Sequence, residues 1–145
     1  MKKGFTIIEL VIVISVLIIL IGIAIPHMKG MQQSGQIVKA KGELQTLQAA
    51  IESYYSNNSN VYPATSASPS AAYFVNTTPQ IVSGVMYDPF QTGNIEYNLM
   101  TNGNYYAFGS VGTNGSFQSF TVSTTGLVFH NPTATTYCVT NGTGC

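Results

Sequence analysis

Residues 10–25 read LVIVISVLIILIGIAI, an apolar run broken only by Ser15 and Gly22. Extended back to Phe5, it carries one charge, Glu9. About 20 apolar residues cross a bilayer as a helix. A backbone in lipid must satisfy its own hydrogen bonds, so a helix is the expected conformation here even though Ile and Val are modest helix formers in water. A cleaved secretory signal has a shorter apolar core, about 7–15 residues, followed by a small-residue cleavage site. This run exceeds that length, has no A-x-A-like site after it, and passes into further helical pattern. Lys2 and Lys3 precede it while Lys29, Lys39 and Lys41 follow it, so the distribution of positive charge does not set its orientation.

Pro26 ends the run and cannot donate a helical hydrogen bond, which predicts a kink there. The helical pattern nevertheless goes on. Ile37, Ala40, Leu44, Leu47, Ile51 and Tyr54 recur at intervals of three and four, one narrow apolar stripe. Lys39, Gln45, Gln48 and Glu52 are expected opposite it, with Lys39 and Glu43 four apart as a surface pair. A nearly continuous helix is therefore predicted over about 5–56, roughly 78 Å at 1.5 Å per residue. The run Ser56-Asn57-Asn58-Ser59-Asn60 should end it.

A variable loop follows over about 57–94, with four prolines and a Ser/Ala/Thr-rich stretch. Tyr73, Phe74, Ile81, Val82 and Tyr87 are its candidate anchors. The period then falls to two. Segments 95–100, 104–111, 117–123 and 127–131 read as short strands, and Asn102-Gly103 reads as a type I′ hairpin turn. An antiparallel sheet of three or four strands over about 95–131, one face on the helical stripe, defines an α+β fold. Residues 132–145 are expected as a tail loop.

Composition narrows function. Charged residues make up 7% of the chain, against about 25% in ordinary soluble domains. There is no Arg, so no basic patch can be built to displace counterions from nucleic acid, and direct nucleic-acid binding is not expected. A chain that is 45% hydrophobic is not intrinsically disordered. Beyond Tyr54 the acidic side chains are Asp88 and Glu96, with no Lys and one His. His27 and His130 stand apart without metal-ligand spacing. Neither paired carboxylates nor a nucleophile motif is present, so an enzyme is not expected.

The N-terminus holds the sharpest motif. Lys2-Lys3-Gly4-Phe5 is a short basic leader ending in Gly, followed by an aromatic residue, and Glu9 sits at the fifth position counted from Phe5. This resembles the class III signal of type IV pilins and type II secretion pseudopilins, over about the first thirty residues including Pro26. The resemblance implies a leader at 1–4, an assembly helix at 5–27 and an extracytoplasmic head at 28–145. It implies cleavage between Gly4 and Phe5 by a membrane prepilin peptidase, which also methylates the new Phe5 amine. An acid within a membrane span costs about 2.5–3.5 kcal/mol on insertion scales. Glu9 could escape that cost at the interface. Alternatively it pairs with a cation during assembly, and after cleavage the nearest unique cation is a neighbouring copy's Phe5 amine.

The remainder resembles the ladle-like pilin fold more loosely. Tyr62-Pro63 and Asp88-Pro89-Phe90 look like landmarks of the major pseudopilin branch, although Gln91-Thr92-Gly93-Asn94 departs from that branch's pattern. The calcium loop of that branch would fall at 110–116, with Ser110, Gly112 and Asn114 as oxygen donors. It holds neither Asp nor Glu, and calcium normally takes carboxylates; no cofactor is expected, calcium being the one the resemblance leaves open. Pilins often close a C-terminal loop by a disulfide, which here would join Cys138 and Cys145; free thiols are the alternative, and an oxidising compartment favours the bond.

Taken together, the resemblance implies a filament subunit, held first in the inner membrane with its head outside the cytoplasm and then at the cell surface. Its partners would be other copies of itself in a helical filament, the prepilin peptidase, the inner-membrane assembly platform and the membrane. A periplasmic secretion pseudopilus is the nearest alternative. A single-pass anchored binding module, uncleaved and unassembled, is the alternative from another class.

Overall fold

A computed structural model describes residues 4–63, 74–113, 121–129 and 137–145, without the side chains of Pro26, His27 and Phe129. The first helix, α1, spans Ile7–Asn57, 51 residues that continue across Pro26. Two compact units divide between Gly35 and Gln36 within it.

The second unit is built on the predicted stripe. Ala40, Leu44, Leu47, Ala50 and Ile51 are each at most 4% exposed, flanked by half-buried Ile37 and Tyr54. At the end of α1 the N–H groups of Asn58 and Asn60 both donate to the Tyr55 carbonyl, at 3.2 and 3.1 Å. Ser59 and Asn60 take left-handed conformations there, φ 55° and 59°, which Asn tolerates better than most residues.

Among the described residues, five strands follow: β1 Asn98–Thr101, β2 Tyr106–Ser110, β3 Thr121–Val122, β4 Val128–Phe129 and β5 Tyr137–Thr140. Their pairing differs from a simple meander. One antiparallel sheet has the order β1-β2-β5, and β3-β4 form a separate antiparallel ribbon. The third strand of the main sheet thus comes from the tail expected to be a loop. Register explains why it belongs there. Leu99, Phe108 and Val139 lie side by side across the three strands and all face the α1 stripe. Ala107, beside Met100 on β1, and Cys138 on β5 face the other way, onto Val122 and Val128 of the ribbon. The sheet is therefore covered on both faces, and its central strand β2 is buried at every position. With β5 on the free edge of β2, the β3 segment pairs with β4 instead.

The first hairpin forms where expected, with a different turn. Thr101 pairs with Tyr106, leaving a four-residue loop closed by Asn102 N–H to the Tyr105 carbonyl at 3.1 Å. A type I′ turn needs positive φ at both central residues, and of the pair only Gly103 has it, at 89°. The Asn102 side chain redirects the chain by accepting from the N–H groups of Asn104 (3.1 Å) and Tyr105 (2.8 Å).

Of the loop anchors, Phe74 and Val82 are buried and Ile81 packs partly against them. Tyr73 lies outside the described residues, and Tyr87 is exposed, contrary to expectation. The predicted opposite face of α1 is exposed at Lys39, Gln45 and Glu52 and half-buried at Gln48. Glu52 accepts from the buried Tyr62 hydroxyl at 3.2 Å. Glu43, besides its Lys39 pair at 3.8 Å, accepts from the Tyr97 hydroxyl at 2.6 Å.

Candidate functional site

Two regions carry the residues singled out by the sequence. The first is the N-terminal unit. Gly4 and Phe5 precede the helix, and the Phe5 side chain is 82% exposed. Thr6 occupies the cap position. Its N–H and its hydroxyl both donate to Glu9 Oε2, at 2.9 and 2.8 Å, and Glu9 N–H approaches Thr6 Oγ1 at 3.4 Å. This is a capping box, in which residues three apart satisfy each other's orphan backbone donors. The Thr6-Ile7-Ile8-Glu9 spacing signals it in the sequence, where the charge of Glu9 draws the eye to assembly instead. Both Thr6 contacts fall on Oε2, which leaves Oε1 with no partner among the described residues.

From this cap the helix presents apolar side chains in every direction. The most apolar 18-residue window within α1 is not buried at all, and by length and composition the helix can cross a membrane. The one hydroxyl in the run is accounted for: Ser15 Oγ donates to the Val11 carbonyl at 2.7 Å, so no polar side chain between Leu10 and Ile25 needs water.

In the second region, the Cys138–Cys145 disulfide is formed, with Cα atoms 5.5 Å apart. It closes a tail stitched on several sides. Asn141 accepts from Tyr106 N–H at 2.9 Å through Oδ1, and its amide donates to the Asn104 carbonyl and the Tyr62 hydroxyl, both at 3.2 Å. Thr143 N–H donates to the Gly126 carbonyl at 2.9 Å, and Val128 N–H donates to the Thr143 carbonyl at 2.8 Å. Gly142 packs on the Gly126 carbonyl oxygen where any side chain would collide.

The loop suggested for calcium does not suit it in its described part. Ser110 is fully buried and its Oγ accepts from Gly112 N–H at 3.2 Å; Asn114 lies outside the described residues. Among the described residues, the buried Asp88 carboxyl reaches this loop. Its Oδ1 accepts from Phe90 N–H at 3.0 Å and its Oδ2 from Val111 N–H at 2.8 Å. Asp88 thus ties the 88–95 loop to the end of β2. Among the described residues no group of three His, Cys, Asp or Glu side chains could hold a metal.

The chain matches no known family model, curated protein or solved structure. The reading of function rests on its own residues.

Three tyrosines complete the electrostatics of the head. Burial, reinforced by the Glu52 carboxylate, pushes the Tyr62 phenol up to about 12. Burial, then the hydrogen bond to Glu43, raises Tyr97 further, and burial beside Glu52 raises Tyr106. All three hold their protons through neutral pH, so Tyr62 and Tyr97 act as donors that satisfy glutamates at the edge of the core.

Proposed function

We propose that this chain is the structural subunit of a type IV pilus-like filament. It is stored in the inner membrane through its first helical half, cleaved after Gly4, and stacked by burying that half against other copies. The observation that carries the reading is a helix apolar on all sides, its most apolar 18-residue window unburied among the described residues, opening on Gly4-Phe5 and the acid Glu9. A helix of this kind requires an apolar surrounding. Lipid supplies one before assembly, and neighbouring helices supply one after it.

The capping box sharpens the role of Glu9. With Oε2 occupied by its own Thr6, Oε1 can receive the Phe5 amine of a neighbour. One carboxylate would then cap its own helix and set the axial register of the next. Once the leader is removed, Lys29, Lys39 and Lys41 face five acidic side chains. This small net charge lets heads crowd on a filament with little mutual repulsion. The Cys138–Cys145 disulfide suits a head outside the cytoplasm.

The test combines N-terminal mass spectrometry with electron microscopy of sheared surface material. Wild-type protein should begin at N-methyl-Phe5 and appear in filaments. Gly4→Val should keep the leader and stay in the membrane, because a branched side chain blocks close approach to the scissile carbonyl. Glu9→Gln should be inserted and cleaved yet give at least tenfold fewer filaments. An intact leader on wild-type protein would identify an anchored binding module instead. Normal filament yield from Glu9→Gln would remove the register role.

A further inference from the structure

We propose that the cleft between α1 and β5 binds a small organic carboxylate carried on an apolar body. This goes beyond the filament reading and does not depend on it. The cleft has a volume of about 340 Å³, within the range of small-molecule sites, roughly 300–1,000 Å³. Its lining includes the apolar Leu44 and Val139, together with Cys138 and Cys145. Its polar groups come from one side of α1, where Lys41 and Gln45 stand four residues apart and so project as neighbours.

The state of those two residues points to an anion. Lys39 is neutralised by Glu43 at 3.8 Å. Lys41, two residues on, has no acidic partner among the described residues; its ammonium lies 5.3 Å from the centre of the Tyr137 ring. That ring is itself held by stacking on Phe90 at 6.0 Å between centroids. A cation over an aromatic face can still accept a carboxylate on its open side. Gln45 offers an amide N–H₂ beside it, uncommitted to any other described group. A carboxylate at the rim would meet one cation and one neutral donor, while its aliphatic or aromatic body would lie against Val139 and Tyr137.

The experiment uses the full-length protein in non-ionic detergent, titrated with sodium 3-phenylpropionate and followed by methyl NMR of Leu44 and Val139. The neutral isostere 3-phenylpropanamide is titrated in parallel. The expected result is a saturable shift of both methyl groups with the acid, and at least tenfold weaker binding of the amide. Lys41→Met should weaken the acid at least tenfold, and Lys39→Met, with the same charge change, should leave it unaltered. Equal affinity for acid and amide, equal weakening by the two lysine variants, or no saturation at all would overturn the proposal. The acid–amide comparison on wild-type protein decides the matter even if the Lys41 variant fails to fold.

Discussion

The two halves of α1 share one secondary structure and almost nothing else. Residues 10–25 are apolar on every face and exposed on every face, whereas between Gln36 and Asn57 an apolar stripe is buried and, Val38 apart, the large side chains outside it are polar or half-buried. The contrast separates two uses of hydrophobic surface within one element. In the second half, the three- and four-residue spacing marks a partner in the same chain, the sheet formed by β1, β2 and β5. In the first half, no face is polar, which fits the lipid or neighbouring helices of the proposed function. Ile and Val contribute little helix propensity in water, so the first half depends on its surroundings and the second on its own core.

The largest effect should come from breaking the second half. Leu47 is fully buried, and truncating a buried Leu to Ala costs about 2–5 kcal/mol. Leu47→Ala should therefore destabilise the head by that amount in urea unfolding followed by tyrosine fluorescence. Leu17→Ala, in the exposed half, should leave the same transition unmoved. A similar loss from both would mean that the two halves are one cooperative unit.

A smaller effect is expected at the buried carboxyl of Asp88, which accepts from two backbone N–H groups. In Asp88→Asn the new amide presents N–H₂ where the carboxylate had accepted from Val111 and Phe90. Leaving one buried donor unsatisfied costs about 1–3 kcal/mol. Hydrogen exchange should show the Val111 amide losing protection more than that of Phe108. Equal loss at both would mean that Asp88 supports the whole sheet and not only its end.

What is legible in the sequence follows the same division. The stripe and the positions of β1 and β2 can be read because local periodicity and burial agree there. β5 cannot. Tyr137 and Val139 do alternate, but the segment is short and lies in a Thr- and Gly-rich tail. Its reason for being a strand is the edge of β2, some thirty residues earlier. The turn at Asn102-Gly103 falls in the predicted place with another geometry, because the Asn102 side chain competes for the backbone donors that a type I′ turn leaves aside. Glu9 stands out as a charge that assembly would explain, although Thr6-x-x-Glu9 also spells a cap. Asp88 is visible only as part of an Asp-Pro landmark, since its partner at Val111 lies 23 residues away.

Thr6→Ala sharpens the comparison from the other end. Losing an N-cap side chain costs about 0.5–2 kcal/mol of local helix stability. Amides at residues 7–10 should exchange faster in micelles while the head unfolds at the same urea concentration. A lowered head midpoint would contradict the independence of the two halves.

The smallest effect at ordinary pH lies in the tyrosines that bind the stripe's flanking acids. A phenol whose folded pKa lies above its unfolded value of about 10 holds its proton more tightly in the native state. Its contribution to stability is complete below pH 10 and is lost as pH rises through the folded value, about 12 for Tyr62. The sign is set by burial, which disfavours the phenolate, and by Glu52 and Glu43, which repel it. The head should therefore weaken steadily above pH 10, while the first half of α1, which has no tyrosine, should keep its helicity over the same range. Tyr97→Phe removes the hydrogen bond to Glu43, at a cost of about 1 kcal/mol near neutrality. In exchange it should flatten the alkaline decline, and Tyr62→Phe should do the same. Urea midpoints at pH 8 and pH 11 give the two slopes. Parallel declines for wild type and both Phe variants would mean that alkaline loss arises elsewhere and that these phenols do not link the acidic flanks of α1 to the stability of the head.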